Sequence, residues 1–117
     1  MAEGINSSNI QESVMIKLTK VYARPTTLVE FFDPKTIVPP PILRHMKTTY
    51  IETGKIVSID HALSTDNLTL TTTVVFESQT SLDAFVNDET IKTNIFDVRT
   101  LYNEANGITE TTTTETI

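Results

Sequence analysis

The chain contains no cysteine, so disulfides, thiol catalysis and thiolate metal sites are all excluded. Its three glycines are scattered, which leaves no Gly-rich loop to cradle a phosphate, and no serine sits in the tight Gly turn of an activated nucleophile. No apolar run approaches the roughly 20 residues of a membrane-spanning helix. Nor is there a basic run, and with a formal charge of -6 the chain lacks the clustered Lys and Arg that capture nucleic acid or an anionic membrane. Met1 to Ser13 has neither a basic start nor an apolar segment, so no secretory signal is expected. A cytoplasmic location follows, or a virion if a phage encodes the chain, a source to which the usage of Thr, Asn, Ile and Lys points.

At 117 residues the chain suits one domain, expected over residues 14–117, with residues 1–13 a polar arm that orders only against a partner. Threonine is abundant and concentrates in segments of strand character, where a β-branched side chain fits the pleat and its hydroxyl tolerates water. Lys55 to Phe85 organises the rest. Val57, Ile59, His61 and Leu63 alternate with Ser58, Asp60 and Ala62; after the turn residues Ser64 to Asn67, Leu68, Leu70, Thr72, Val74 and Phe76 alternate again, predicting a hairpin. Hydroxyls at Ser78 to Ser81 then cap a helix, with Asp83 three residues after Thr80 in the position of a capping box.

On the N-terminal side, Val14 to Arg24 predicts a strand whose apolar face switches near Thr19 and Lys20, from Val14, Ile16 and Leu18 to Val21 and Ala23. Thr26 to Pro41 predicts an irregular connection in which Phe31, Phe32 and Ile37 are buried against the sheet or a partner. From Pro41 the stripe Ile42, Met46 and Tyr50, with Leu43 and Thr49 alongside, predicts a helix ended by Gly54. On the C-terminal side, Leu82, Phe85 and Val86 are grouped before an interruption at Asn87 and Asp88. A second stripe runs through Ile91, Ile95, Val98, Leu101 and Tyr102 to a stop at Asn106 and Gly107. Ile108 to Ile117, almost all Thr and Glu, predicts an edge strand that pairs with a neighbouring edge and supports a dimer.

Strand, helix, hairpin, helix, strand is the split βαβ order of an α+β, ferredoxin-like fold: an antiparallel sheet with two helices on one face. Thr72, Thr73, Val74, Val75, Phe76, Glu77 and Ser78, followed by Ser81, Leu82, Asp83, Ala84, Phe85, Val86, Asn87 and Asp88, resemble the antibiotic biosynthesis monooxygenase-like branch of the dimeric α+β barrels. Members commonly end the third strand in an aromatic residue and a Ser, then enter a helix bearing a Phe. The resemblance spans about half of the chain. It implies a homodimer in which two sheets face each other, in a group that includes cofactor-free oxygenases, haem-degrading enzymes and decarboxylase-like enzymes. The chain departs from the haem-degrading pattern in having no Trp, and Pro39 to Pro41 are unlike the simple first helix of most members.

Candidates for chemistry are few. His61, on the inward face of its strand, could be a general base or a lone metal ligand; with no spaced partner to complete the three or four ligands a metal needs, a histidine at the core's rim is the plainer reading. His45 falls off the first helix's stripe, at an expected surface position. Tyr22, Tyr50 and Tyr102 could each set a hydroxyl at a cavity edge or simply border the core. Asp60 and Glu77 are expected on the outer face of neighbouring strands, where charges blunt an exposed sheet more often than they catalyse. These residues predict neither a cofactor nor a metal site. The sequence favours a small acidic homodimer acting as a non-catalytic interaction, structural or accessory protein, with a protein partner. The rival is a dimeric-barrel enzyme or small-molecule binder of the cofactor-independent monooxygenase type, which requires a closed apolar cavity of a few hundred cubic ångströms lined by Tyr and His between sheet and helices.

Overall fold

The computed structural model describes residues 14–117, so the expected arm lies outside the described residues. Strands β1 (Ile16–Ala23), β2 (Ile56–Leu63), β3 (Thr69–Phe76) and β4 (Thr109–Thr116) form a 4-stranded sheet in the order β2-β3-β1-β4, each antiparallel to its neighbours. Between β1 and β2 lie α1 (Pro34–Ile37) and α2 (Pro40–Met46), the latter running into a π turn at Lys47–Ile51. Between β3 and β4 lie α3 (Gln79–Val86), α4 (Glu89–Ile91), a second π turn at Lys92–Phe96, and α5 (Asp97–Asn106). The fold is α+β and ferredoxin-like, as the order of elements predicts.

Alternation places Ile16, Leu18, Lys20 and Tyr22 of β1 beside Leu70, Thr72, Val74 and Phe76 of β3 on one face of the sheet. Ile16, Leu18 and Phe76 share the core with Val38 and Tyr50 from the segment after β1 and with Leu82, Phe85, Ile91 and Ile95 from the segment after β3, so both helical segments cover that same face. The ring of Phe85 is the hub, with Tyr50, Phe76 and Phe96 at centroid distances of 5.1, 5.5 and 5.4 Å, each inclined as aromatic pairs prefer. The opposite face, with Thr19, Val21, Thr71, Thr73 and Val75, has no layer over it among the described residues.

Several local expectations change. The register of β1 runs unbroken against both neighbours, so its apolar face does not switch at Thr19 and Lys20. Lys20 instead occupies an inward position, where its ammonium donates to Glu110 at 2.9 Å, while Val21 and Ala23 take the open face. The irregularity falls at Ile56/Ser58 in β2, and it delivers Ile56 to the core in place of Val57. Beyond Ile56 the strand is exposed except at the half-buried Ser58, and β2 is an edge strand of the sheet. In the Pro-rich connection Asp33 caps α1, and Val38 at 3% exposure takes the buried place expected of Ile37, which is 41% exposed; Phe31 and Phe32 are partly buried. Ser78 is the N-cap of α3, its Oγ accepting from Ser81 N–H at 3.2 Å, so the helix begins at Gln79 and the capping box from Thr80 to Asp83 does not form. Val86, expected inside, is exposed.

Gly54 and Gly107 follow their helical segments with φ of 81° and 70°, the left-handed conformation that ends a helix at least cost in glycine. The Thr-rich β4 is a strand, as predicted, paired with β1 from Thr109 to Thr116 and exposed throughout. Lys17 to Glu115 at 2.8 Å and Lys20 to Glu110 at 2.9 Å tie it to β1 on opposite faces, and Thr19 faces Thr113 directly.

Candidate functional site

Between the sheet and the helices lies a cavity of about 650 Å³, within the size range of small-molecule sites. Its walls are mainly apolar: Leu18, Leu70, Ile59 and Val74 from the sheet, Leu43 and Met46 from α2, and Phe31, Phe32, Phe85, Ile95 and Phe96. Lys20, Tyr22, His61, Thr72, Arg99 and Asn103 supply the polar atoms that converge on it, with Asp33 and Lys35 at the start of α1. Fully filled cores pack to crystal density, and a space of this size costs the contacts its lining forgoes.

Tyr22 and His61 thus line one cavity, which is open to solvent along Asp33, Lys35 and His61 rather than closed as the small-molecule reading expects. Tyr22 is buried, and its phenol is pushed up to about 12; burial is the main cause, opposed by the nearby Arg99 cation and reinforced by Glu110. At neutral pH it is a protonated hydroxyl, able to donate a hydrogen bond and unable to act as a base. His61 is exposed on edge strand β2, with Nδ1 and the Thr72 hydroxyl 3.0 Å apart, a rim position bonded to a side chain rather than to backbone.

Tyr50 does not line the cavity. Its hydroxyl donates to Asp88 Oδ2 at 2.7 Å and to the Ala84 carbonyl at 3.1 Å, and its phenol is likewise raised to about 12, by burial first and then by the Asp88 carboxylate. His45, expected to be solvated, instead donates from Nε2 to the same Asp88 oxygen at 2.8 Å. The other oxygen of Asp88 accepts from Thr90 and Ile91 N–H and caps α4. Burial raises the Asp88 carboxyl, but the hydrogen bonds from His45, Tyr50 and Ile91 outweigh it, and the net pKa lies below the usual carboxylate range. The bonds of Tyr50 and His45 to Asp88 and Ala84 join the first helical segment to the second, so the cluster is a structural staple. Asp60 and Glu77 are apart: Asp60 faces Thr73 across the strand pair, and Glu77 accepts from the Ser81 hydroxyl at 3.0 Å. The hydroxyl of Tyr102 donates to the Glu30 carbonyl at 2.7 Å and anchors the connection to α5. Among the described residues no three His, Asp or Glu side chains stand together as metal ligands.

Arg99 and Asn103 were not legible as site residues. The stripe extrapolated from Ile91 and Ile95 leads to Val98, Leu101 and Tyr102, yet Leu101 is 69% exposed and Asn103 is 5% exposed. The π turn at Lys92–Phe96 spends an extra residue on one turn and rotates all that follows by about 100°, so Arg99 and Asn103 face the sheet instead. The guanidinium of Arg99 lies 5.7 Å from the ring centroid of Tyr22 and 5.4 Å from that of Phe32. It pairs with no carboxylate among the described residues. The Nδ2 of Asn103 is buried with no hydrogen-bond partner.

No family model matches the chain, and no curated protein matches it significantly. Solved structures do. A conserved protein of unknown function from Bacteroides thetaiotaomicron, described as a possible oxidoreductase, superposes with a TM-score of 0.57 at 11% identity over 90% of this chain and 99% of that one. A protein from Shewanella oneidensis gives a TM-score of 0.56 at 11% identity, covering 90% and 92% of the two chains. A dimeric ferredoxin-like protein from an uncultured marine organism gives 0.56 at 7% identity, covering 89% and 95%. At such identities the likeness is one of fold: it establishes the ferredoxin-like architecture, and neither membership of the monooxygenase-like branch nor an activity follows from it.

Proposed function

We propose that this protein is a small-molecule-binding member of the ferredoxin-like fold, acting as a homodimer, with the ligand held between sheet and helices. The observation that carries this reading is the cavity of about 650 Å³ lined by apolar side chains with Tyr22 and His61 among them. Sequence alone ranked an interaction module first; a cavity where that module needs only a filled core reverses the order. The homodimer is supported by the uncovered sheet face, where Val21, Ala23 and Val75 lie among threonines, and by the similar structure described as dimeric. An oxygenase-type activity would use this same cavity. Tyr22 would then act as a hydrogen-bond donor, and His61 is the group best placed to exchange a proton with solvent.

The test is saturable fluorescence enhancement of N-phenyl-1-naphthylamine, a neutral aromatic probe. Wild-type protein should bind it, and Thr72→Phe, which places a ring in the cavity, should weaken binding at least about tenfold. Absence of saturable binding, or equal binding by a folded Thr72→Phe, overturns the reading.

A further inference from the structure

Most of the cavity's surface would suit any apolar molecule, but one part of it is selective. Arg99 and Asn103 are four residues apart on α5, hence on one helix face with Cβ atoms about 6 Å apart, and both line the cavity. Asn103 is 5% exposed and its Nδ2 has no partner. A buried amide donor left without an acceptor carries a desolvation cost that natural interiors rarely accept, and a ligand acceptor would remove that cost. Arg99 adds a fixed positive charge and a planar fork of donors, held between the rings of Tyr22 and Phe32. Lys20 lies on the same wall, although Glu110 already compensates its charge at 2.9 Å. The hydroxyl of Tyr22 is a further donor on the cavity wall. The lining therefore divides into an apolar majority and one group rich in donors, with a guanidinium that makes no direct ion pair among the described residues and shares the nearby Glu110 carboxylate with Lys20.

We propose that Arg99 and Asn103 form an anion-recognition pair, and that the natural ligand is a small amphiphilic organic acid with its carboxylate at this pair and its apolar body among Phe31, Phe85, Ile95 and Phe96. The inference rests on the cavity being a ligand site. The geometry explains the placement: the guanidinium supplies charge and a bidentate fork, and the buried amide supplies a second directed donor from the next turn. The π turn is what aims both residues inward, consistent with the frequent occurrence of such turns at functional sites.

The experiment compares two probes that share an aromatic body. 8-Anilinonaphthalene-1-sulfonate carries an anionic head, and N-phenyl-1-naphthylamine has none. Wild-type protein should bind the sulfonate at least about tenfold more tightly than the neutral probe, as expected for hydrogen bonds to a charged group. Arg99→Gln and Asn103→Leu should each remove most of that preference, read as the ratio of the two affinities in the same variant, with far-UV circular dichroism and a cooperative thermal transition reporting that each variant remains folded. Lys17→Gln, which removes an equal charge on the open face, should leave both affinities unchanged. Addition of a long-chain carboxylate, decanoate, should displace the sulfonate probe from wild type, and the corresponding alcohol should compete more weakly. Equal affinity for the two probes, or a preference that survives both substitutions, overturns the anion pair while the ligand site stands. Binding of neither probe removes the site itself.

Discussion

Replacing Asp88 with Ala tests the staple between the two helical segments, because one carboxylate does three jobs there. Its Oδ1 accepts from Thr90 N–H at 3.0 Å and caps α4, a contribution of about 1 kcal/mol. Its Oδ2 accepts from the Tyr50 hydroxyl at 2.7 Å; that hydroxyl keeps Ala84 O as a second acceptor, so the net loss is about 1 kcal/mol. The pair with His45, whose side chain is 35% exposed, is worth about 0.5 kcal/mol. Asp88→Ala should therefore destabilise the fold by about 2–3 kcal/mol, read as a urea midpoint lower by about 1 M or more. Tyr50→Phe and His45→Gln should cost about 1 and 0.5 kcal/mol, and a double-mutant cycle between Asp88 and Tyr50 should show coupling. The pH dependence has a definite sign. The folded Asp88 pKa lies below the unfolded value of about 3.9, so its stabilisation is present in full above that pH and is lost as pH falls through the folded pKa. The gap between wild type and Asp88→Ala should accordingly close in acid. A variant within about 0.5 kcal/mol of wild type at neutral pH would refute the reasoning.

Two further outcomes follow from burial and pairing. The phenols of Tyr22 and Tyr50, both raised to about 12, should give tyrosinate absorbance well above the unfolded midpoint of about 10, and because the folded state favours the protonated form, stability should fall as pH rises from about 10 toward 12. Wild-type titration at the unfolded midpoint would count against the burial of both rings. Truncation after Gly107 removes β4 and the buried Ile108, which should lower the melting temperature and, if β4 supports the proposed homodimer, halve the mass seen by light scattering; an unchanged mass and melting temperature would mean that the strand supports neither.

Wherever side-chain period decided the structure, the sequence could be read. The hairpin of β2 and β3, the glycine stops at Gly54 and Gly107 and the pairing of a strand with almost no apolar residues all follow from β-branched alternation and backbone rules. Errors arose where one residue of phase mattered. The parity of Val21 and Ala23 predicts a switched face near Thr19 and Lys20, but the register holds and Lys20 stays inward, at the wall of a cavity and beside Glu110. Likewise the helical stripe was extended with an α-period across Lys92–Phe96, where a π turn displaces it, which hid Arg99 and Asn103 and promoted Leu101. His61 was legible as a candidate because it falls on the inward face of its strand; Tyr22 was legible only as an amphipathic aromatic, because the expected switch to Val21 and Ala23 turns it outward, whereas the unbroken register brings it inward. Tyr50 fits its stripe equally well, and only the tertiary pairing with Asp88 removes it from the cavity.

The central claim is that the space between sheet and helices receives a ligand. Its most direct measurement is amide chemical-shift perturbation during titration with N-phenyl-1-naphthylamine. Saturating shifts should concentrate at Tyr22, Phe32, Thr72, Arg99 and Asn103, which line the cavity, and be absent at Thr19, Thr73 and Glu115 on the open face. Shifts confined to the open face, or none that saturate, would contradict it.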